Sequence, residues 1–303
     1  MSPPLLHVGY AKAASTWLQR FLFDNGAAGF GAVDRRIILE RLIHPHPFDF
    51  DARKALEELR PHLGEASARG AVPVVSAETL CGNAHSGGRD AKELAGRLHT
   101  LFPDSPVLIV IREQRAMIAS TYKQFVRVGG ACPPAWYLQP PPDRRVPGFD
   151  FDHFAYHRLI AHYRELFGGE LVLVLPFEEF RIAPDEFARK VIEAAGGALR
   201  DELPFSTRVK GALSPYAVAV RSRLNLVDRP TSVNPRPVSI PPLGVGLRAA
   251  LRLDRLVPDA VQMRLDRRLR GTVERLVGDR YCESNRITAE LTGLDLASYG
   301  YAM

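Results

Sequence analysis

Gly9, Lys12, Ser15 and Thr16 fall close together in the segment His7-Val8-Gly9-Tyr10-Ala11-Lys12-Ala13-Ala14-Ser15-Thr16-Trp17. The apolar run before them reads as a strand and the residues after them as a helix, so they lie on a strand-to-helix turn. Such a turn directs backbone N–H groups and the positive end of a helix at an anion. Lys12 adds a charge, and Ser15 and Thr16 add hydroxyl donors in the first helical turn. That is the composition of a phosphate cradle. The same residues also fit a plain amphipathic helix start, capped by Ser15, with Lys12 in solvent. The segment is not a Walker A loop, because Lys12 does not follow a second glycine and is not itself followed by Ser or Thr.

A second group lies about a hundred residues on. Arg112 follows the apolar run Val107–Ile111, and Ser120 and Tyr122 follow on the next helical segment. A guanidinium fork can donate two parallel hydrogen bonds to a phosphate. An ion pair of Arg112 with Glu113, with Ser120 an ordinary helical residue, is the alternative. Glu78 comes just after the run Val72–Ser76 and is the first candidate for a general base; His44, His46 and His85 are the others. A loop-fixing carboxylate is the structural alternative for Glu78. His153 and His157 stand four apart on an expected helix but have no evident third ligand, so no metal site is expected.

These residues need a scaffold to bring them together. Leu5–Gly9, Val72–Ser76, Val107–Ile111 and Leu171–Leu175 read as buried parallel strands, each beside a helix-length segment. The alternation predicts an α/β fold with a central parallel sheet flanked by helices, and ligands beyond the carboxyl ends of its strands. Helices are expected at about 15–25, 51–69, 89–102, 114–126, 151–167, 185–195, 215–224 and 259–277. The proline-rich stretches Gly129–Gly148 and Asp228–Gly246 are expected to be irregular. In the helix Asp259–Val277 the arginines alternate with Val261, Leu265, Leu269, Val273 and Leu276 at helical spacing, which makes them its solvated face. Trp136 and Tyr137 could contact a ligand or simply pack. A single domain is expected over 1–303, an α/β core over 1–205 and a mainly helical part over 206–303.

The chain of 303 residues has 40 Lys and Arg against 34 Asp and Glu, a formal net charge of +6. That suits an anionic ligand, and equally nucleic acid or a membrane surface. Three scattered cysteines and the absence of a CxxC pair indicate neither a disulfide framework nor structural zinc. With no signal-like N-terminus and no long apolar run, a cytoplasmic protein without a membrane span is expected.

The first segment resembles the 5′-phosphosulfate loop of sulfotransferases that use 3′-phosphoadenosine 5′-phosphosulfate (PAPS), G-Y-P-K-[TS]-G-[TS]-T-W. Gly9, Tyr10, Lys12, Ser15, Thr16 and Trp17 match, while Ala11, Ala13 and Ala14 depart from it. If the Ala14 position needs a positive φ, alanine is strained there. Arg112, Ser120 and Tyr122 are similar to that family's 3′-phosphate motif, and Leu171–Phe180 is similar to its strand ending in a Tyr-Glu-Asp-Leu type sequence. Arg208, Lys210 and Gly211 stand where some members carry Arg-Lys-Gly, here interrupted by Val209. The resemblance implies a P-loop NTPase-like sulfotransferase fold with a helical C-terminal part. It implies PAPS as co-substrate, no metal requirement, and transfer to a small-molecule or glycan acceptor rather than to nucleic acid. It further implies that Lys12 stabilises the leaving group, that Trp17 stacks on adenine, and that Gly9, Ala14, Ser15, Thr16, Arg112 and Ser120 hold the nucleotide. A P-loop nucleotide kinase and a non-enzymatic anion- or nucleic-acid-binding module are the competing classes.

Overall fold

A computed structural model describes residues 2–141, 146–198, 203, 213–227, 231–234 and 253–303. Five short strands form one all-parallel sheet: β1 (Leu5–His7), β2 (Phe30–Ala32), β3 (Val72–Ser76), β4 (Val107–Ile111) and β5 (Val172–Pro176), in the order β2-β3-β1-β4-β5. The expected parallel α/β sheet is therefore present. β4 is buried along its whole length, as a strand covered on both faces must be, and for that reason it is apolar at every position.

β2 is the strand that pattern reading passes over. Phe-Gly-Ala is too short and too weakly β-prone to stand out, and it forms by pairing with β3, Phe30 opposite Val72 and Ala32 opposite Val74. Gly31 has a packing reason. A Cβ there would lie 2.6 Å from the Cβ of Ala66 on the helix that covers this edge.

The helices follow in chain order. α1 (Ser15–Trp17) continues directly as a π-helical run (Leu18–Phe23). α2 (Arg35–Ile38) and α3 (Ala52–Ala68) precede β3, and α4 (Ala91–Leu101) precedes β4. α5 (Gln114–Arg127), α6 (Pro134–Leu138) and α7 (Tyr156–Phe167) lie between β4 and β5. After β5 come α8 (Phe177–Ile182), α9 (Pro184–Ala194), α10 (Pro215–Leu224), α11 (Asp259–Val277) and α12 (Cys282–Thr292). Local signals set several of the starts. The Asp51 side chain accepts from the Lys54 N–H to cap α3, and Ser214, followed by Pro215, accepts from the Ala217 N–H to cap α10.

Three expectations change. The helix expected over 151–167 is a 3₁₀ turn, Phe151–Phe154, and then α7, broken at Ala155 where ψ is 77°. His153 and His157 therefore do not share one helix face. The stretch expected to be irregular from Gly129 contains α6, which Pro134 starts at its first helical position. α12 was not anticipated at all. Of 228–246 only 231–234 are described, with an isolated bridge between Thr231 and Asn234.

The described residues group into two compact units. The first comprises those within Met1–Glu113, Asp152–Val209 and Arg280–Met303 and contains the whole sheet. The second comprises those within Gln114–Phe151 and Lys210–Asp279, and its helices are α5, α6, α10 and α11. In α11, Arg264, Arg267, Arg268, Arg270 and Arg275 are exposed, as the helical spacing predicts; of the apolar stripe Leu269 and Val273 are buried, Leu265 and Leu276 half-buried, and Val261 is exposed at the helix start. Among the described residues no helix is long and apolar enough to cross a membrane.

Candidate active site

Strand order locates the site. β1 and β4 are neighbours, yet the chain leaving β1 runs to β2 on one side and the chain leaving β4 runs to β5 on the other. That divergence opens a crevice at their carboxyl ends, where ligands of open parallel sheets bind. Both the Gly9–Thr16 turn and Arg112 leave the sheet at this point.

The turn is tightly built. A Cβ at Gly9 would come within 3.0 Å of both the His7 imidazole Nε2 and the Val110 backbone nitrogen, so only glycine lets the chain pass β4 this closely. Lys12 has φ 73° and Ala14 has φ 60°, with Ala13 between them outside the left-handed region. Left-handed residues alternating with right-handed ones form the concave nests of backbone N–H groups that bind anions, and this turn supplies two such left-handed positions. Ala14 is also the residue from which α1 starts: the N–H groups of Trp17 and Leu18 both donate to its carbonyl.

The condition set by the sequence is met, because alanine occupies a left-handed position here. The left-handed conformation costs a β-carbon-bearing residue roughly 1–2 kcal/mol, partly offset by the extra freedom of an unfolded glycine. Ala14→Gly is therefore expected to raise stability by about 0.5–1 kcal/mol, seen as a higher urea midpoint at unchanged m-value. A lower midpoint would mean that the alanine methyl makes packing contacts worth more than the strain.

Glu78 reaches this turn. The Ser15 hydroxyl donates to Glu78 Oε1 at 2.9 Å across a separation of 63 residues. Ser15 has one hydroxyl proton and it is committed to Glu78, so contact with an anion at this position falls to backbone N–H groups and to the exposed Thr16. Beneath the turn, Gln19 Nε2 donates to Ser76 Oγ at 3.1 Å, and Ser76 Oγ also pairs with His7 Nδ1 at 2.7 Å. Burial holds the His7 pKa down to about 4, so this imidazole is neutral near pH 7.

Arg112 joins the same turn from β4. Its Nη1 donates to the Lys12 carbonyl at 3.0 Å, and its guanidinium lies over the Phe177 ring, 4.7 Å from the centroid. Its Nε is buried without a hydrogen-bond partner. Desolvation lowers the guanidinium pKa, with Glu178 opposing the effect. The backbone here is braced from far along the chain. Tyr156 OH donates to the Arg112 carbonyl at 2.6 Å, the Glu113 N–H donates to Glu178 Oε1 at 3.2 Å, and Tyr301 OH donates to Glu178 Oε2 at 3.1 Å. Tyr156, Glu178 and Tyr301 hold this backbone in place, a part that the sequence does not assign them; the signals are the place of Glu178 just after β5 and the similarity of the chain end from Tyr281 through Tyr301 to bacterial sulfotransferases.

No family profile matches the chain, and no curated protein matches it. The chain is similar in structure to a sulfotransferase from Alicyclobacillus acidocaldarius. The TM-score is 0.49 and the identity 19%, over 78% of this chain and all of the other. A likeness this distant says nothing about the reaction or the acceptor.

The remaining candidates are distributed as follows. Trp17 is 4% exposed and packs against Phe180 and Phe21, with ring centroids 5.0 and 6.0 Å away, which makes it an anchor for the first helix. Ser120 lies half-buried on α5 in the second unit, where Tyr122 is buried and donates its hydroxyl to the Cys132 carbonyl at 3.1 Å. His44 and His46 are exposed, and the His46 ring accepts from the Phe48 N–H. His85 is half-buried, with its pKa lowered by burial to about 4. His153 faces the Tyr10 ring at 5.0 Å and His157 pairs with Ser284 Oγ at 2.8 Å. Arg208, Lys210 and Gly211 lie outside the described residues. Among those described, no three His, Cys, Asp or Glu residues gather so as to hold a metal ion.

Proposed function

We propose that this chain is a sulfotransferase that moves a sulfuryl group from PAPS to a hydroxyl or amine of an acceptor. The observation that carries the reading is the convergence, at one crevice, of an anion nest holding Lys12, a carboxylate bonded to that nest, and an arginine bonded to its backbone.

The residues suit a bisphosphorylated nucleotide. The glycine at position 9 and the left-handed Lys12 and Ala14 support a cradle for the 5′-phosphosulfate end, and the partnerless Arg112 Nε supports a further anionic contact. In the reaction, the acceptor oxygen or nitrogen forms a bond to sulfur while the bond from sulfur to the bridging oxygen breaks. Lys12 and the nest neutralise the charge that collects on the 5′-phosphate side. Glu78, oriented by Ser15 through Oε1, takes the acceptor proton. Arg112 reads the 3′-phosphate.

The test is equilibrium binding of adenosine 3′,5′-bisphosphate, AMP and ATP·Mg²⁺. The bisphosphate should bind most tightly, without added metal. Arg112→Ala should weaken it by roughly 1.5–3 kcal/mol, as loss of a charge-assisted hydrogen bond does, while AMP loses far less. Equal losses for both nucleotides would assign Arg112 to supporting the Lys12 carbonyl alone. Tighter binding of ATP·Mg²⁺ would favour the kinase reading.

A further inference from the structure

The second unit holds a cavity of about 780 Å³ whose described lining includes Tyr122 but none of Lys12, Glu78, Arg112 and Ser120. It lies within the range of roughly 300–1,000 Å³ typical of small-molecule sites. Its apolar wall comes from Phe125 on α5, Pro133 and Trp136 beside and on α6, Val218 on α10, and Leu265 and Leu269 on α11. Every described residue lining it belongs to this unit.

Two features indicate what it takes. First, large apolar side chains at its margin are left in water: Trp136 is 74% exposed and Leu226 53%. An exposed apolar patch bordered by polar groups is the usual mark of a binding surface. The lining is aromatic as well, with the Tyr122 and Phe125 rings 6.2 Å apart and tilted by 32°. Second, the polar groups in the lining are already paired within the unit. Ser222 and Thr272 donate their hydroxyls to backbone carbonyls one helical turn back, and the Asn234 side chain donates to the Asn225 carbonyl. Asp266, the acidic residue in the lining, is neutralised by Lys123 at 2.8 Å. Two exposed cations, Arg223, whose Nη1 also donates to the Ala219 carbonyl at 2.7 Å, and Arg268, stand at the margin, and among the described lining residues they leave the charge positive.

We infer that this cavity binds a small amphiphile with a flat aromatic body and one anionic group. The body packs on Trp136 and the apolar wall, and the anion sits between Arg223 and Arg268. Hydrogen-bond-rich ligands such as sugars are disfavoured, because the lining has few unspent donors and acceptors to replace their water.

The probes are 1-anilinonaphthalene-8-sulfonate and its uncharged counterpart N-phenyl-1-naphthylamine, titrated against the full chain. Both should bind saturably at one site, with energy transfer from Trp136; the other tryptophan, Trp17, lies in the first unit. Arg223→Ala/Arg268→Ala should weaken the sulfonate roughly tenfold, by an amount that shrinks in high salt, and leave the neutral probe within about twofold. Ala219→Phe, which fills the cavity from α10, should abolish saturable binding of both. Trp136→Ser, at a largely exposed position, should weaken both. Thermal unfolding of each variant identifies any that fail to fold. Unsaturable binding, or binding unchanged by both Ala219→Phe and Trp136→Ser, would overturn the site. Equal weakening of the two probes by the arginine variant would overturn the anionic part of the assignment.

Discussion

Lys12→Ala is expected to lower turnover at least about a hundredfold, a loss of about 2.7 kcal/mol of transition-state stabilisation. Lys12 stands in the nest between Gly9 and the start of α1, and its own left-handed backbone helps to form that nest. In the proposed reaction the charge it faces grows only as the bridging bond breaks, so the loss should appear mainly in kcat, with bisphosphate affinity much less affected. Lys12→Arg separates charge from shape. A guanidinium keeps the charge but cannot place it as a compact point donor, so partial activity is expected. Turnover of Lys12→Ala within about threefold of the native protein would remove Lys12 from the mechanism, since loss of an electrostatic stabiliser costs far more.

Glu78→Gln is expected to have the next largest effect, a loss of roughly 10²–10⁴ in turnover, the range for general-base catalysis. The amide keeps the shape and can still accept from the Ser15 hydroxyl, so the 2.9 Å contact and the nest should survive. Adenosine 3′,5′-bisphosphate affinity should therefore stay within about twofold, which separates loss of a base from loss of a fold. Ser15→Ala is the companion variant. It leaves the carboxylate in place but removes the group that orients it, so it should cost less than Glu78→Gln. His44, His46 and His85 serve as comparisons. The first two are exposed, and all three are expected to be dispensable. An active Glu78→Gln beside one inactive histidine variant would transfer the role to that histidine.

Much of this protein can be read from short stretches of chain. Val107–Ile111 is apolar at every position because both faces of β4 are covered, and a run of five such residues declares a buried strand unaided. The Gly9–Thr16 turn is likewise local: a strand, a glycine, a lysine and two hydroxyl residues lie within one window. So too is the stripe on α11, where helical spacing alone divides the buried leucine and valines from the arginines.

Tertiary structure decided what those pieces do to one another. Glu78 meets Ser15 across 63 residues, Arg112 meets the Lys12 carbonyl across 100, and Tyr301 meets Glu178 across 123. The first two contacts depend on which strands are neighbours in the sheet, and the third on where the chain beyond α12 packs; strand order follows from competition among several similar apolar runs. No local pattern encodes that choice. β2 shows the same limit: its three residues become a strand only because β3 supplies the ladder they pair with. The conformation of Ala14 is tertiary as well. Alanine has no preference for a left-handed φ, and here that conformation accompanies the close passage of the turn by β4 at Gly9. Trp17 and Trp136 make the contrast within one residue type. Both are large apolar rings in sequence, yet one is enclosed by Phe21 and Phe180 while the other stands in water at the edge of a cavity. What separates them is the neighbours that folding brings, because burial is a property of the assembled surface and not of the side chain.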